Sequence, residues 1–195
     1  METVDYFNFV AHKWDSMVYH DAEKIENLLG ILNIGKGNSV LDVGTGTGVL
    51  IPFLCRAVGK RGKVVGVDVA ENMIKTAKQK FDFYNVEFVV ADILTASLKQ
   101  KRYDYVICYS MFPHFKDKAL TIKKLSSYLS KNGKLAIFHS QSRSEINALH
   151  EKNTTLTSAS YLPDANEIES YFHSNGLKTF ARVDNKDMFA VVGEK

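Results

Sequence analysis

Cysteine is scarce. Cys55 and Cys108 are the only two, far apart in the chain and without a C-x-x-C spacing. That excludes a disulfide framework and a cysteine-type zinc site, and free thiols suit a reducing cytosol. The N-terminus, METVDYFNFVAHKWD, lacks a basic start followed by an apolar run, so no signal peptide is expected. No stretch approaches the roughly 18 unbroken apolar residues of a membrane span. Charge of one sign is lacking too: Lys+Arg 25 against Asp+Glu 22 leaves +3, with none of the concentrated basic face that nucleic-acid binders carry. What is present, 195 residues of which 45% are apolar, suffices for one domain with its own core.

The hydrophobic pattern alternates. Helical spacing over residues 20–32 puts Ile25, Leu28, Leu29 and Leu32 on one face. Short β-branched runs follow at 39–43, 63–68, 86–91, 103–109 and 135–139, with helices predicted at 49–58, 70–80 and 116–129, the last stopped near Gly133. Strands in near-continuous apolar runs alternating with helices indicate a parallel sheet covered on both faces. The tail departs from this. Asp164-x-x-Glu167 is a capping box for a helix carrying Ile168, Tyr171 and Phe172, and the runs 177–183 and 188–192 are separated only by Asp184-Asn-Lys-Asp187. So short a loop joins antiparallel strands. The expectation is a three-layer, Rossmann-like doubly wound α/β fold, mostly parallel, with an antiparallel C-terminal hairpin and seven strands. Residues 151–160, polar and Ser/Thr-rich, read as a mobile loop.

Gly44, Gly46 and Gly48 stand directly after the first strand and open a helix. Glycine lets a ligand approach the backbone there, and a loop in this place brings N–H groups toward it. Asp68 ends the second strand, where a carboxylate accepts the ribose hydroxyls of a nucleoside. An ordinary tight turn is the alternative, but strand, glycines and acid agree on adenosine. The dinucleotide fingerprint G-x-G-x-x-G is not met: Val49 stands where its third glycine belongs. Asp42, just before the glycines, would repel a pyrophosphate and suit a ligand with a cationic end, bound directly or through water. S-adenosylmethionine (SAM), with an ammonium and a sulfonium, fits.

These residues carry a resemblance. Val40-Leu-Asp-Val-Gly-Thr-Gly-Thr-Gly48 resembles the glycine-rich segment of class I SAM-dependent methyltransferases; Val64-Val-Gly-Val-Asp68 resembles their ribose-binding strand, Val89-Val-Ala-Asp92-Ile93 their adenine segment, and Asp104-Tyr-Val-Ile-Cys-Tyr109 their fourth strand. The order matches from about Val40 to Phe138 and is similar to the small-molecule branch, including quinone-biosynthesis and arsenite-type enzymes. The resemblance implies that Asp42, Gly44, Thr45 and Gly46 serve the methionine part. It implies that Asp68 holds the ribose, that Val69, Met73, Ala91, Asp92 and Ile93 surround the adenine, and that Cys108 lies on the cofactor side. It divides the chain into a helical lid (1–38), a cofactor core (39–139) and an acceptor-side tail (140–195). The Asn/Asp-Pro-Pro-aromatic tetrapeptide of many DNA-amine methyltransferases is absent: this stretch reads Cys-Tyr-Ser-Met-Phe-Pro.

Methyl transfer from a sulfonium mainly requires alignment and exclusion of water, with a general base only for a protonated acceptor. His114, His139 and Tyr109 are the candidate catalytic residues, because ligands collect beyond the carboxyl ends of parallel strands. His139, His150 and His114 could alternatively hold a metal, or simply line the site as polar side chains; their spacing is too loose for a metal to be expected. Arg143 could clamp an anionic acceptor or form a surface ion pair. Tyr6, Phe7, His12 and Trp14 read either as a lid over the cofactor or as ordinary helix packing. Lys75, Lys78, Lys80, Lys116, Lys118, Lys123 and Lys124 read as solvated helix faces. The sum is a cytoplasmic enzyme, monomer or homodimer, methylating a small molecule without nucleic acid or membrane. A nicotinamide oxidoreductase, a non-catalytic SAM-binding protein and a nucleic-acid methyltransferase are its rivals.

Overall fold

Val, Leu and Gly fill three short strands that pair in parallel: β1 (Ser39–Val43), β2 (Lys63–Asp68) and β3 (Val86–Val90), in register at Val40↔Val64 and Val64↔Val86. Val40, Leu41, Val64, Val65 and Val67 are all buried, as a sheet covered on both faces requires. The computed structural model describes residues 3–152 and 160–195. It divides into two compact units, Met1–Lys101 and Arg102–Lys195.

The first unit adds α1 (Thr3–Val10), α2 (Trp14–Met17), α3 (Ala22–Leu32), α4 (Ile51–Val58) and α5 (Glu71–Lys80). Asp21 caps α3, its carboxylate accepting from the N–H groups of Glu23 and Lys24, and Ile25, Leu28 and Leu32 face inward. The second unit holds β4 (Tyr103–Tyr109), α6 (Lys118–Ser127), β5 (Leu129–His139), α7 (Arg143–Lys152), α8 (Ala165–Ser174), β6 (Lys178–Asp184) and β7 (Phe189–Glu194). β4 runs parallel to β5, while β7 is antiparallel to both β5 and β6. The seven strands form one mixed sheet in the order β3-β2-β1-β4-β5-β7-β6, flanked by helices and mostly parallel up to its C-terminal hairpin.

Two elements differ from the sequence reading. The helix expected over 116–129 is Lys118–Ser127, and Leu129 already opens β5, which is 11 residues long. Gly133 is therefore not a helix stop. Asn132 adopts a left-handed φ of 62°, and a Cβ on Gly133 would meet the carbonyl oxygens of Ser130 and Tyr103 at 3.0 Å each. Only glycine fits so close a backbone approach. The pairing jumps there from Tyr103↔Leu129 to Tyr105↔Lys134. The second difference is α7, a helix the sequence reading does not place. Ser142 and Glu145 cap it reciprocally: the Ser142 N–H donates to Glu145 Oε2 at 2.9 Å and the Glu145 N–H to Ser142 Oγ at 3.2 Å. Glu151 and Lys152 close this helix, and Ser160 is buried; the rest of the loop read at 151–160, residues 153–159, lies outside the described residues.

Candidate active site

In the first unit the glycine loop is stitched to the end of β2. The N–H groups of Gly44 and Thr45 both donate to the Val67 carbonyl, at 2.8 and 3.0 Å, and the Gly46 N–H donates to Asp68 Oδ2 at 2.9 Å. Asp68 Oδ1 accepts from the Ala70 N–H at 2.9 Å. These N–H groups are thus spent on the protein itself rather than aimed at a ligand, which corrects the expectation drawn from the glycines alone. Gly44 and Gly46 take φ of 69° and 55°, and a Cβ on Gly46 would meet nothing within 4 Å, so open space lies above it.

Asp42 is buried beneath the loop, and the Thr45 hydroxyl donates to its Oδ2 at 2.6 Å. Burial pushes the Asp42 carboxyl up to about 7; the Thr45 bond opposes this and the Asp68 charge adds to it. Burial likewise raises Asp68, against the N–H groups it accepts. The Ala91 N–H donates to the Asp68 carbonyl at 2.9 Å. Asp92 is exposed, with Oδ1 accepting from the Leu94 N–H, while Ile93 is buried and Val69 exposed. Met73 is enclosed with Val10, Ala11 and Ala70.

The N-terminal aromatics lie along α5. Tyr6, Phe7 and Trp14 pack on the cluster around Met73, Phe7 edge-on to both neighbours with centroids 5.5 Å apart, while His12 is exposed. Asn8 and Asn72 bond twice, at 2.9 and 3.0 Å. Asp15 accepts the Thr47 hydroxyl at 2.5 Å and pairs with Lys80 at 2.6 Å, which gives the segment a foot on the glycine loop. A cleft of about 480 Å³ opens beside that foot, with Tyr19, His20, Val49 and Phe81 among its walls.

In the second unit three histidines gather. A 3-10 turn, Phe112–His114, follows β4; His139 ends β5; His150 lies on α7. The His114 and His150 rings meet edge-on with centroids 5.1 Å apart, and His139 packs edge-on to Phe189 at 6.3 Å. Nε2 of His139 and Nδ1 of His150 are buried with no hydrogen-bond partner. Burial brings His139 down to about 3, helped by the charges of His114 and His150, and His114 to about 4, helped by His150 and Lys118. His150 is lowered by burial and by Lys118. All three are therefore neutral imidazoles at neutral pH, able to take a proton. Among the described residues no three His, Cys, Asp or Glu side chains are grouped to hold a metal. Tyr109 is buried, with its hydroxyl 2.9 Å from Ser140 Oγ, and Cys108 is buried on β4. Arg143 lies 3.8 Å from Asp184 in a partly exposed ion pair.

The family model of a methyltransferase domain matches residues 34–185. The chain belongs to the class I SAM-dependent methyltransferases. It is 34% identical over 133 residues to the malonyl-[acyl-carrier protein] O-methyltransferase of Acetivibrio thermocellus, covering 67% of this chain and 46% of the relative. It is 29% identical over 135 residues to the demethylmenaquinone methyltransferase of Staphylococcus saprophyticus, covering 66% and 58%. The chain thus spans about half the length of these curated relatives. A SAM-dependent methyltransferase from Aquifex aeolicus shares its fold at a TM-score of 0.73 and 20% identity, over 100% of this chain and 99% of that one.

The chain brings together, within its first unit, Asp42 with Thr45 and Asp68 with Gly46 and Ala91. Within its second it brings together His114, His139 and His150. Sequence reasoning passed over four residues of note. Gly66 sits mid-strand because a Cβ there would meet the Thr45 side chain at 3.0 Å, so its absence makes room for the Thr45–Asp42 bond. Asp15 and Thr47 join the N-terminal segment to the loop. Lys118, expected on a solvated face, is 3% exposed. A polar residue in a helical pattern reads as surface unless a buried partner is known, and nothing in the sequence announces one.

Proposed function

We propose that this protein is a methyltransferase that passes the methyl group of SAM to a small-molecule acceptor by in-line displacement. One observation carries the cofactor assignment: the N–H groups of Gly44, Thr45 and Gly46 are already bonded internally, above a buried Asp42 carboxyl that takes the Thr45 hydroxyl. A pyrophosphate needs free N–H donors and no nearby carboxylate. A ligand with an ammonium end needs the reverse, and this donor set fits it. SAM, when bound, supplies a methyl group on an already activated sulfonium. Asp68 would hold the ribose hydroxyls, Asp92 the adenine amino group, and Asp42 the ammonium directly or through water. Gly44, Thr45 and Gly46 would pack on the methionine part. Val69, Met73, Ala91 and Ile93 would flank the adenine, and Cys108 would lie near the cofactor.

On the acceptor side His114, His139 and Tyr109 are the proposed catalytic residues. His139 Nε2 is buried and has no partner, so it can accept the proton that a hydroxyl, thiol or acidic carbon loses as it is methylated. An imidazole held neutral by burial becomes a better base as negative charge develops beside it. Two cysteines outside any disulfide support a cytoplasmic setting, and among the described residues no helix is long and apolar enough to cross a membrane. The even charge balance supports a small acceptor over nucleic acid. A monomer or homodimer fits this reading.

Calorimetry with SAM and its demethylated product tests the cofactor assignment. Binding is expected in the micromolar range of ordinary small-ligand sites. Asp68→Ala, with its fold intact by circular dichroism, is expected to weaken it by roughly 100-fold, the loss of two charge-assisted hydrogen bonds. No SAM binding by the unmodified protein would overturn the assignment.

A further inference from the structure

Lys118 is the first residue of α6, directly after the cap Asp117, whose carboxylate accepts from the Leu120 N–H. A positive charge in the first turn of a helix opposes the macrodipole, so a cation gains nothing there from the helix itself. The side chain is nevertheless buried and turned back on the segment before it. Its ammonium donates to the Pro113 carbonyl at 3.0 Å and to the Phe115 carbonyl. Those two carbonyls bracket His114. The same ammonium lies over the ring of Tyr161, 5.0 Å from its centroid. The Tyr161 and Tyr171 hydroxyls both donate to Glu167 Oε1, at 3.1 and 2.6 Å, and the Glu167 charge acts favourably on Lys118.

We propose that Lys118 is a positioning residue of the acceptor side, clamping the turn that carries His114 through the carbonyls on either side of it. This rests on the reading of His114 as a proton acceptor. The 3-10 turn starts without a side-chain cap; at its end the Phe115 N–H donates to the Phe112 carbonyl at 3.2 Å and the chain leaves in an extended conformation, so the Pro113 and Phe115 carbonyls look outside the turn for donors. Lys118 supplies the donors that such a turn end lacks. It also fixes a positive charge beside His114 and His150, which discourages both imidazoles from protonating. Among the described groups facing this ammonium are His114 from the turn, His150 from α7, and Glu167 and the Tyr161 ring from α8 and the segment before it. His139 is held down mainly by its own burial, with the charges of His114 and His150 adding to it, and serves as the comparison.

Histidine ring resonances of the whole protein, followed by NMR from pH 3.5 to 8, test this without an acceptor. In Lys118→Met the protonation midpoints of His114 and His150 are expected to rise by about one pH unit, the effect of removing one nearby like charge, while His139 stays unprotonated. Lys118→Arg is expected to keep both low. The nuclear Overhauser contact between the His114 and His150 rings weakens in Lys118→Met if the turn loosens. Unchanged His114 and His150 midpoints would overturn the proposal, as would all three histidines moving together, which would mean general loosening. The unmodified protein gives a second measurement. Lys118 is brought down to about 8 by burial, so the carbonyl carbon resonances of Pro113 and Phe115 should shift together with a midpoint near pH 8; resonances flat from pH 7 to 9.5 would also overturn it. Both measurements are independent of turnover. If His114→Gln left methyl transfer intact, the assignment of the base would fail while the clamp could still stand.

Discussion

The glycine loop and the histidine group treat their polar atoms in opposite ways. In the first, three N–H donors and both oxygens of Asp68 are bonded within the protein. In the second, ring nitrogens of His139 and His150 are buried and left unmatched. An unmatched buried polar atom costs about 1–3 kcal/mol, so such atoms are not retained for folding. The loop is a scaffold whose shape is set before anything binds. The histidine group holds unsatisfied chemistry, as a site that must exchange a proton with a varied acceptor would.

The sharpest way to break this contrast is His139→Leu. The exchange removes an unmatched nitrogen and refills the space with an apolar side chain, so thermal unfolding should show stability unchanged or raised by about 1 kcal/mol. Methyl transfer should fall by roughly 100-fold or more, the loss of a general base. SAM affinity should not change. A marked drop in the melting temperature would show instead that His139 supports the fold.

A smaller effect sharpens the other side. Burial holds the Asp42 carboxyl up at about 7. A cationic ligand end favours its charged form and lowers that value. Binding therefore releases a proton at pH below 7, and affinity should rise with pH up to about 7 and then level off. The slope approaches tenfold per pH unit on the acid side. Calorimetry in buffers of different ionisation enthalpy would detect the released proton. In Asp42→Asn the slope should vanish, and a slope surviving in that variant would remove Asp42 from the ligand's reach.

The smallest effect concerns α7, which carries His150. Ser142→Ala removes one half of the reciprocal cap and should cost about 1 kcal/mol in urea unfolding. Hydrogen exchange should quicken in the first turn of α7 while the amides of β1 and β2 stay protected.

The two regions were also unequally legible. β1, β2 and β4 could be read to the residue, because a run of valine, leucine and isoleucine bounded by Gly, Asp or Lys has few other uses. The loop that follows β1 is marked by three glycines and the acid ahead of them. The acceptor side lacks such marks. α7 buries only Ile146, so its periodicity is weak, and its one clear signal, Ser142-x-x-Glu145, is short enough to pass as loop. Leu129 fits a helical face as well as a strand start, and only the backbone crossing at Gly133 decides between them. Lys118 is the hardest case. Its meaning depends on two carbonyls, and carbonyls are the same in every sequence.

Trp14 is the only tryptophan in the chain, half-buried against Phe7 on the segment that Asp15 ties to Thr47. The protein thus carries a built-in fluorophore one residue from its link to the glycine loop. Its emission wavelength and its quenching by iodide report that segment with no label attached. Release of the segment would redden the spectrum, and tighter docking would shield the ring.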